Sequence, residues 1–280
     1  MKKITILWTL GVIAALFLYK TYQNNDQIPI FLKKQHQNVS FYDDGEKLVA
    51  KLNAKNNLIN NFKCDLKLTI QKDQINFPVK AELFYEKPKN LRLIVNSFFG
   101  KESDIGSNDQ EFWFWGKRAK PSKLYFAKYQ NLTKVNLKTP LHPVWIMDTI
   151  SLNNIILDNS LILKYGEYIA VLEEKISLNG QNVLYIILID PKKDAIIGHY
   201  LYDKDGFLII SSEIIEHYFV DNIAIPKKIE TKWYEEKLGL TWEIKNPIIN
   251  SNLNPNLWHK PNIKDKEELG LNFCCKKLIF

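Results

Sequence analysis

The sequence predicts a mainly β protein of the α+β class. About ten or eleven strands form one strongly curved antiparallel sheet, after an amphipathic helix and an N-terminal membrane segment. Three observations predict it. From Phe62 onward apolar and polar residues alternate over long stretches, the period of a strand with one dry and one wet face. Turn formers divide those stretches, as at Asn179-Gly180, Asp190-Pro191 and Asp203-Lys204-Asp205-Gly206. With 280 residues, 46% of them hydrophobic, the chain can fill a core in one large or two small domains.

The N-terminus comes first. Lys2 and Lys3 precede sixteen uncharged residues, Ile4 to Tyr19, and Lys20 closes the run. Its length lies between a signal-peptide core and a full span of roughly 20 residues. No small-x-small cleavage site follows, and Tyr19, Lys20 and Tyr22 suit the headgroup level. The expectation is an uncleaved signal-anchor over residues 1–20, with the rest of the chain on the outer side of the inner membrane; cleavage would release it into the periplasm. Residues 21–40 are rich in Asn and Gln and form a polar tether, whose twenty residues reach at most about 70 Å when extended. The absence of any cysteine before Cys64 excludes a lipobox.

Asp43 with Glu46 resembles a capping box, and Leu48, Leu52 and Ile59 then share a helical face, ending near Asn60-Asn61. The period next switches to two. Phe62, Cys64, Leu66, Leu68 and Ile70 alternate with polar residues, as do Ile75, Phe77, Val79, Ala81, Leu83 and Tyr85. Pro88 interrupts, and Leu91, Leu93 and Val95 resume. Gly100 to Gln110 is full of turn formers. Phe112-Trp113-Phe114-Trp115 then loads both faces of one strand with aromatic surface, which a half-exposed strand does not do. After Leu124–Tyr129, the stretch Thr139–Ile150 breaks the alternation as a short helix or loop on the sheet. Strands return near 162–173, 183–189, 196–202, 208–220 and 228–244, and 263–280 is a charged tail with an apolar end.

Chemistry is sparse. The net charge of +7 is almost all lysine, since Arg92 and Arg118 are the only arginines; arginine forks, the usual readers of nucleic acid, are nearly missing. The three cysteines, Cys64, Cys274 and Cys275, make no disulfide framework. No phosphate loop, GxSxG or HExxH occurs, and the five histidines lack metal-ligand spacing. The expectation is a non-catalytic binding protein without metal, cofactor or nucleic acid. A hydrolase built on His199 or His217 is the enzymatic rival; it requires a carboxylate or serine within hydrogen-bond reach in a cleft.

The order of elements resembles the bacterial lipoprotein carriers of the LolA/LolB type. The resemblance covers roughly residues 41–262 and rests on several segments. They are the helix-to-strand passage Leu48–Ile70, the run Phe84-Tyr85-Glu86-Lys87-Pro88-Lys89-Asn90-Leu91-Arg92, and the turn and strand Ser107–Trp115, similar to a Trp-x-Tyr strand. Thr139-Pro140-Leu141 looks like the start of a lid, and Leu257-Trp258-His259-Lys260-Pro261 resembles the closing aromatic-proline element.

The resemblance implies an unclosed half-barrel with short lid helices and an acyl-chain cavity beneath them. It places Lys87 where the carriers have a lid-locking arginine. The implied ligand is a lipid or lipoprotein acyl chain, with other envelope proteins as possible partners. Its lining would come from Leu66, Leu68, Ile70, Phe77, Val79, Leu83, Leu91, Leu93, Val95, Trp113 and Trp115, with Trp145 and Ile146 on the lid. Trp113 and Trp115 are expected on the concave face. Phe112 and Phe114 are then convex, beneath the tether, the C-terminal tail or a partner. The alternative is a structural envelope module with a filled core; an acyl-sized apolar cavity separates the two.

Overall fold

A computed structural model describes residues 39–73, 75–134, 143–176 and 182–269. The expected membrane segment 1–20, the tether up to residue 38, the first part of the expected lid and Cys274-Cys275 lie outside the described residues.

One sheet of 15 strands dominates. In chain order they are β1 (Val39–Phe41), β2 (Asn61–Lys72), β3 (Ile75–Glu86), β4 (Asn90–Ser97), β5 (Gly100–Ser107), β6 (Glu111–Gly116), β7 (Leu124–Lys128) and β8 (Leu161–Tyr165). There follow β9 (Tyr168–Ile176), β10 (Asn182–Asp190), β11 (Ala195–Asp203), β12 (Leu208–Val220), β13 (Ile223–Trp233), β14 (Leu238–Ile249) and β15 (Lys266–Glu268). The spatial order is β1-β8-β9-β10-β11-β12-β13-β14-β2-β3-β4-β5-β6-β7-β15. Neighbours are antiparallel except β15, which runs parallel to β7. Among the described residues the sheet is curved and unclosed, with β1 and β15 at its two borders.

The strand number exceeds the ten or eleven expected, for identifiable reasons. Runs 162–173 and 228–244 each contain a hairpin, β8–β9 and β13–β14. Gly100–Ser107 is a strand despite its turn-like composition, because its polar side chains find partners. Ser103 donates to the Trp115 carbonyl at 3.0 Å and Ser107 to that of Lys89 at 2.8 Å. Finally, β1 uses the end of the expected tether and β15 the start of the expected tail.

Two α-helices lie among the described residues: α1 (Gly45–Asn56) and α2 (Pro143–Thr149). α1 starts later and stops earlier than the spacing suggests. Asp44 occupies its cap position without a side-chain cap bond and instead pairs with Lys47 at 2.7 Å. Val49 and Leu52 are buried toward the sheet. α2 ends where Ser151 turns the chain with φ 54°, a left-handed value that a helix cannot propagate.

The main core lies between the helix-bearing inner face of the sheet and the segment Pro143–Leu157. It joins Val49 and Leu52 of α1, Ile146 and Met147 of α2, and Ile150, Leu152 and Ile155 to inward residues of most strands.

Candidate functional site

Register fixes which side chains share the inner face. Cys64 pairs with Leu83, Leu83 with Leu93, and Leu93 with Ile105, which pairs with Phe114. Paired residues of antiparallel strands lie on one side. Leu66, Leu68, Leu83, Leu91 and Leu93 are therefore buried inward within the main core, and Ile70, Val79 and Val95 are half-buried against it. Phe77 shares that face but lies 52% exposed at the sheet's end.

The expectation for Trp113 and Trp115 is reversed. Phe112 pairs with Ser107 and Phe114 with Ile105, so the phenylalanines face inward; Trp113 pairs with Gly106 and Trp115 with Asp104, on the outer face. The cause is steric. The Trp113 indole lies flat over Gly106, and a Cβ there would collide with the ring.

What covers the outer tryptophan is the C-terminal segment. Arg92 grips Asp104 with two bonds, 3.0 and 2.7 Å, and reaches on to the carbonyls of Leu257 and His259 at 2.8 and 2.9 Å. Trp113 Nε1 donates to Asp104 at 3.3 Å. Burial pushes the Asp104 carboxyl up, but its bonds to Arg92 and Lys101 outweigh this and hold it below the usual range. Trp258, in the short 3-10 turn Pro255–Trp258, donates to Glu86 at 2.9 Å. Residues 254–260, ahead of the expected tail, thus form a strap fastened across the outside of β3, β4 and β5.

Inside, the segment after α2 covers the apolar face and is stitched to α1 by side-chain amides. Asn53 both donates to the Ile155 carbonyl and accepts from its N–H, each at 2.8 Å. Asn56 donates to the Asn153 carbonyl at 2.9 Å, and Asn154 to Asn57 at 2.8 Å. Tyr85, rising from β3, donates to the Asn153 side chain. Lys87 donates to the Asn56 carbonyl at 2.5 Å. It therefore caps the C-terminal end of α1, where a cation is favoured, and touches the cover only through Asn56.

A second polar thread ties the cover to the sheet. Trp145 of α2 is half-buried and meets the Tyr185 ring edge-on, with centroids 5.9 Å apart; Ile146 is buried. Tyr185 bonds Asp148 and lies 2.7 Å from Nδ1 of His199, whose Nε2 lies 2.6 Å from the Ser151 hydroxyl. Burial raises the Asp148 carboxyl to about 6, opposed by Lys175 and by bonds from Tyr185 and Asn153. Its carboxylate sits deep among protein atoms although part of the residue reaches solvent. Burial, with Lys175 nearby, lowers His199 to about 3. A neutral imidazole can donate from one nitrogen only. With Tyr185 donating to Asp148, the arrangement runs one way: Ser151 to His199 to Tyr185 to Asp148.

This meets one condition of the hydrolase rival, a serine beside His199. Burial disfavours the imidazolium that a general base must become, so the site weakens His199 in that role. The cavity that Ser151 lines with Lys55, Asp194 and His217 measures about 10 Å³, room for one water. His199 and His217 do not face each other: His199 pairs with Ser212, and His217 donates to the Ile196 carbonyl at 2.9 Å. Among the described residues no three His, Cys, Asp or Glu side chains cluster as metal ligands.

One end of the sheet differs from the rest of the surface. Phe98 and Phe99 form the β4–β5 hairpin tip and are 97% and 75% exposed. Ile75 and Phe77, also exposed, lie in the part of β3 that extends past Lys80, the last residue of β3 paired with β4. Lys101, Lys117, Arg118 and Lys120 stand exposed at the same end.

The geometry defines a class: an open curved antiparallel sheet whose apolar inner face is closed by a separately stitched cover. No protein-family model matches the sequence, and no curated protein does. Among solved structures, a DUF1329-family protein from Desulfovibrio piger superposes with a TM-score of 0.50 at 10% identity, over 77% of this chain and 95% of that one. A LolA superfamily protein from Nitrosomonas europaea gives 0.47 at 10% identity, over 76% and 97%. A domain described as an outer membrane lipoprotein-sorting protein, from Vibrio parahaemolyticus, gives 0.47 at 8% identity, over 76% and 95%. The likeness to the first is one of fold.

Proposed function

We propose that this domain binds lipid or lipoprotein acyl chains on the inner face of its sheet, without catalysis, at a membrane surface. The cover carries this reading. It closes an aliphatic face with its own Ile146, Met147, Ile150, Leu152 and Ile155 and is stitched to α1 by amide hydrogen bonds, each contributing about 0.5–1.5 kcal/mol net. An acyl chain entering beneath it gains about 0.8 kcal/mol per CH₂ removed from water, and its methylenes take the place of the aliphatic contacts that the cover gives up on opening. The described state is then the closed, empty one. The half-barrel lining is Leu66, Leu68, Ile70, Val79, Leu83, Leu91, Leu93 and Val95, joined by Phe112 and Phe114 in place of Trp113 and Trp115.

The exposed aromatic tip supports action at a membrane. Phe98 and Phe99 offer apolar surface for the acyl boundary, and the lysines around them suit anionic headgroups. With residues 1–20 as anchor, the domain works on the outer side of the inner membrane, where other envelope proteins are its exchange partners.

The second reading, a structural envelope module, is favoured by the filling of the core: Leu83 and Leu91 are 0% exposed. Native mass spectrometry of the full chain purified from membranes separates them. Co-purified lipid, lost in Ile70→Glu and Val95→Glu while the variants stay folded, is expected of a carrier. Protein that is empty under every mild extraction condition leaves the structural reading.

A further inference from the structure

Trp233 carries a buried donor without an acceptor. It is the last residue of β13 and belongs to the main core, with 4% of its surface exposed. Among the described residues its indole Nε1 has no hydrogen-bond partner. The N–H groups of Trp113, Trp242 and Trp258 are all taken, by Asp104, Thr231 and Glu86. A buried indole N–H ordinarily finds an acceptor, so the exception at Trp233 needs a reason.

Register places it. Across the inner face one row runs from Leu201 through Ile210, Trp233 and Leu238 to Lys72. The row closes on Ile75, opposite Lys72 in the β2–β3 hairpin. Ile75 is exposed, and Leu238 and Lys72 are half-buried. Trp233 therefore lies on the border between the closed interior and the end of the sheet that carries Phe98 and Phe99.

No neighbour in that row can serve the N–H, since the flanking Ile210 and Leu238 side chains are aliphatic. The next row inward holds the hydroxyls of Ser212 and Thr231. Thr231 shares the face of Trp233, two residues before it. It accepts from Trp242 at 3.1 Å, however, and stands 3.3 Å from the Ser212 hydroxyl. Its oxygen is thus occupied by the other tryptophan.

We propose that Trp233 Nε1 receives an acyl oxygen, from a carboxylate or an ester carbonyl, and so fixes the polar end of a bound acyl chain at this border. This rests on the acyl-binding reading above and adds a direction and a selectivity to it. The chain lies with its oxygens at Trp233 and its methyl end toward the aliphatic interior. In the closed, empty state the N–H is deprived both of water and of an acceptor, which disfavours that state. A ligand oxygen restores the bond, whereas a plain hydrocarbon of the same length leaves the donor unpaired. The site therefore ranks acyl chains above alkanes, which burial of methylenes alone does not.

The test uses the full chain, isotope-labelled at its indole nitrogens, with palmitate, methyl palmitate and hexadecane each delivered from cyclodextrin. Of the seven tryptophan signals, the one lost in Trp233→Phe reports the donor. It is expected to move downfield with palmitate and methyl palmitate and to stay in place with hexadecane. Trp233→Phe is expected to weaken both acyl ligands about tenfold, the worth of one hydrogen bond, and hexadecane far less. An effect with palmitate alone would assign the oxygen to a free carboxylate, and with both ligands to an acyl carbonyl in general; each supports the proposal. Equal weakening of all three would make Trp233 a packing residue and overturn it, as would a signal that neither acyl ligand moves or that hexadecane moves as far. Should the Trp233→Phe chain not fold, Trp233→benzothienylalanine keeps the bicyclic shape, replaces the N–H by sulfur and gives the same comparison. Binding of all three ligands irrespective of Trp233 leaves the acyl-binding reading standing and sinks this one. Binding of none of them to the parent chain sinks both.

Discussion

The Ser151 hydroxyl and Nε2 of His199 stand 2.6 Å apart, so the cover is joined to the sheet through an imidazole that stays neutral at physiological pH. Acid is therefore its weakness, and the direction follows from the two groups that titrate there. His199 protonates near 3 when folded but near 6.5 when unfolded, so its contribution is whole above about 6.5 and is lost as pH falls toward 3. Asp148 runs the other way: its folded value of about 6 exceeds the ordinary 3.8, so folding gains as pH falls through that window. Each group contributes a slope of up to about 1.4 kcal/mol per pH unit. Between pH about 6 and 4 they oppose each other. Asp148→Asn removes the gain and is expected to lose stability more steeply on acidification; His199→Phe is expected to flatten or invert the loss. Urea midpoints across that range check both.

Asn53 holds Ile155 by two bonds, so Asn53→Ala should loosen the cover without unfolding the sheet. A loss of about 1–2 kcal/mol raises the open population roughly 5- to 30-fold. Faster hydrogen exchange at residues 152–157, with strands β10–β12 unchanged, is the expected pattern. Uptake of a fluorescent fatty-acyl probe should rise with it; a probe that ignores the change would contradict a movable cover.

On the outer face the strap depends on a planar cation. Arg92→Lys keeps the charge but cannot serve both carboxylate oxygens of Asp104 and two carbonyls, so about 2–4 kcal/mol should be lost. Limited proteolysis should then cut within residues 250–265 before the sheet. Gly106→Ala tests the same corner by sterics: it displaces the Trp113 indole, at a cost of about 1–3 kcal/mol or more, and should red-shift tryptophan emission.

Phe98 and Phe99 contribute almost nothing to the core. Phe98→Ser with Phe99→Ser should leave the unfolding free energy from urea titration within about 0.5 kcal/mol of the parent. Binding to vesicles of mixed anionic and neutral lipid should nevertheless fall at least tenfold. The remaining binding, driven by Lys117 and Lys120, should disappear in high salt.

Much of the fold was legible because most strands alternate strictly. Phe62 to Ile70 declares its inward face by the lysines and the aspartate between, whereas Val183–Ile189 is an unbroken apolar run that turn formers mark as a strand without showing which way Tyr185 faces. The aromatic strand was not legible in the same way. Phe-Trp-Phe-Trp has no polar residue to mark the wet side, and its facing is set by Gly106, a residue from the stretch that looked like a turn. That stretch in turn hides a strand because Ser103, Asp104 and Ser107 are satisfied by partners the chain brings in from elsewhere. The thread from Ser151 to Asp148 was invisible for a related reason: His199 lies 48 residues from Ser151 and 14 from Tyr185, and no spacing rule connects them. Lys87 was singled out on resemblance alone, and its contact with the helix end could be seen only once α1 was known to stop at Asn56.

The two outermost strands have a mechanical meaning. β1 and β15 hold three residues each and come from opposite ends of the chain. They occupy opposite borders of the sheet, so a new strand from a neighbouring molecule meets only a short template on either side. Tension applied through the N-terminal segment reaches β1 first, and its short ladder to β8 is the stitch that gives way while the long central strands hold. The domain can thus be pulled from one end and lose a border before it loses its interior.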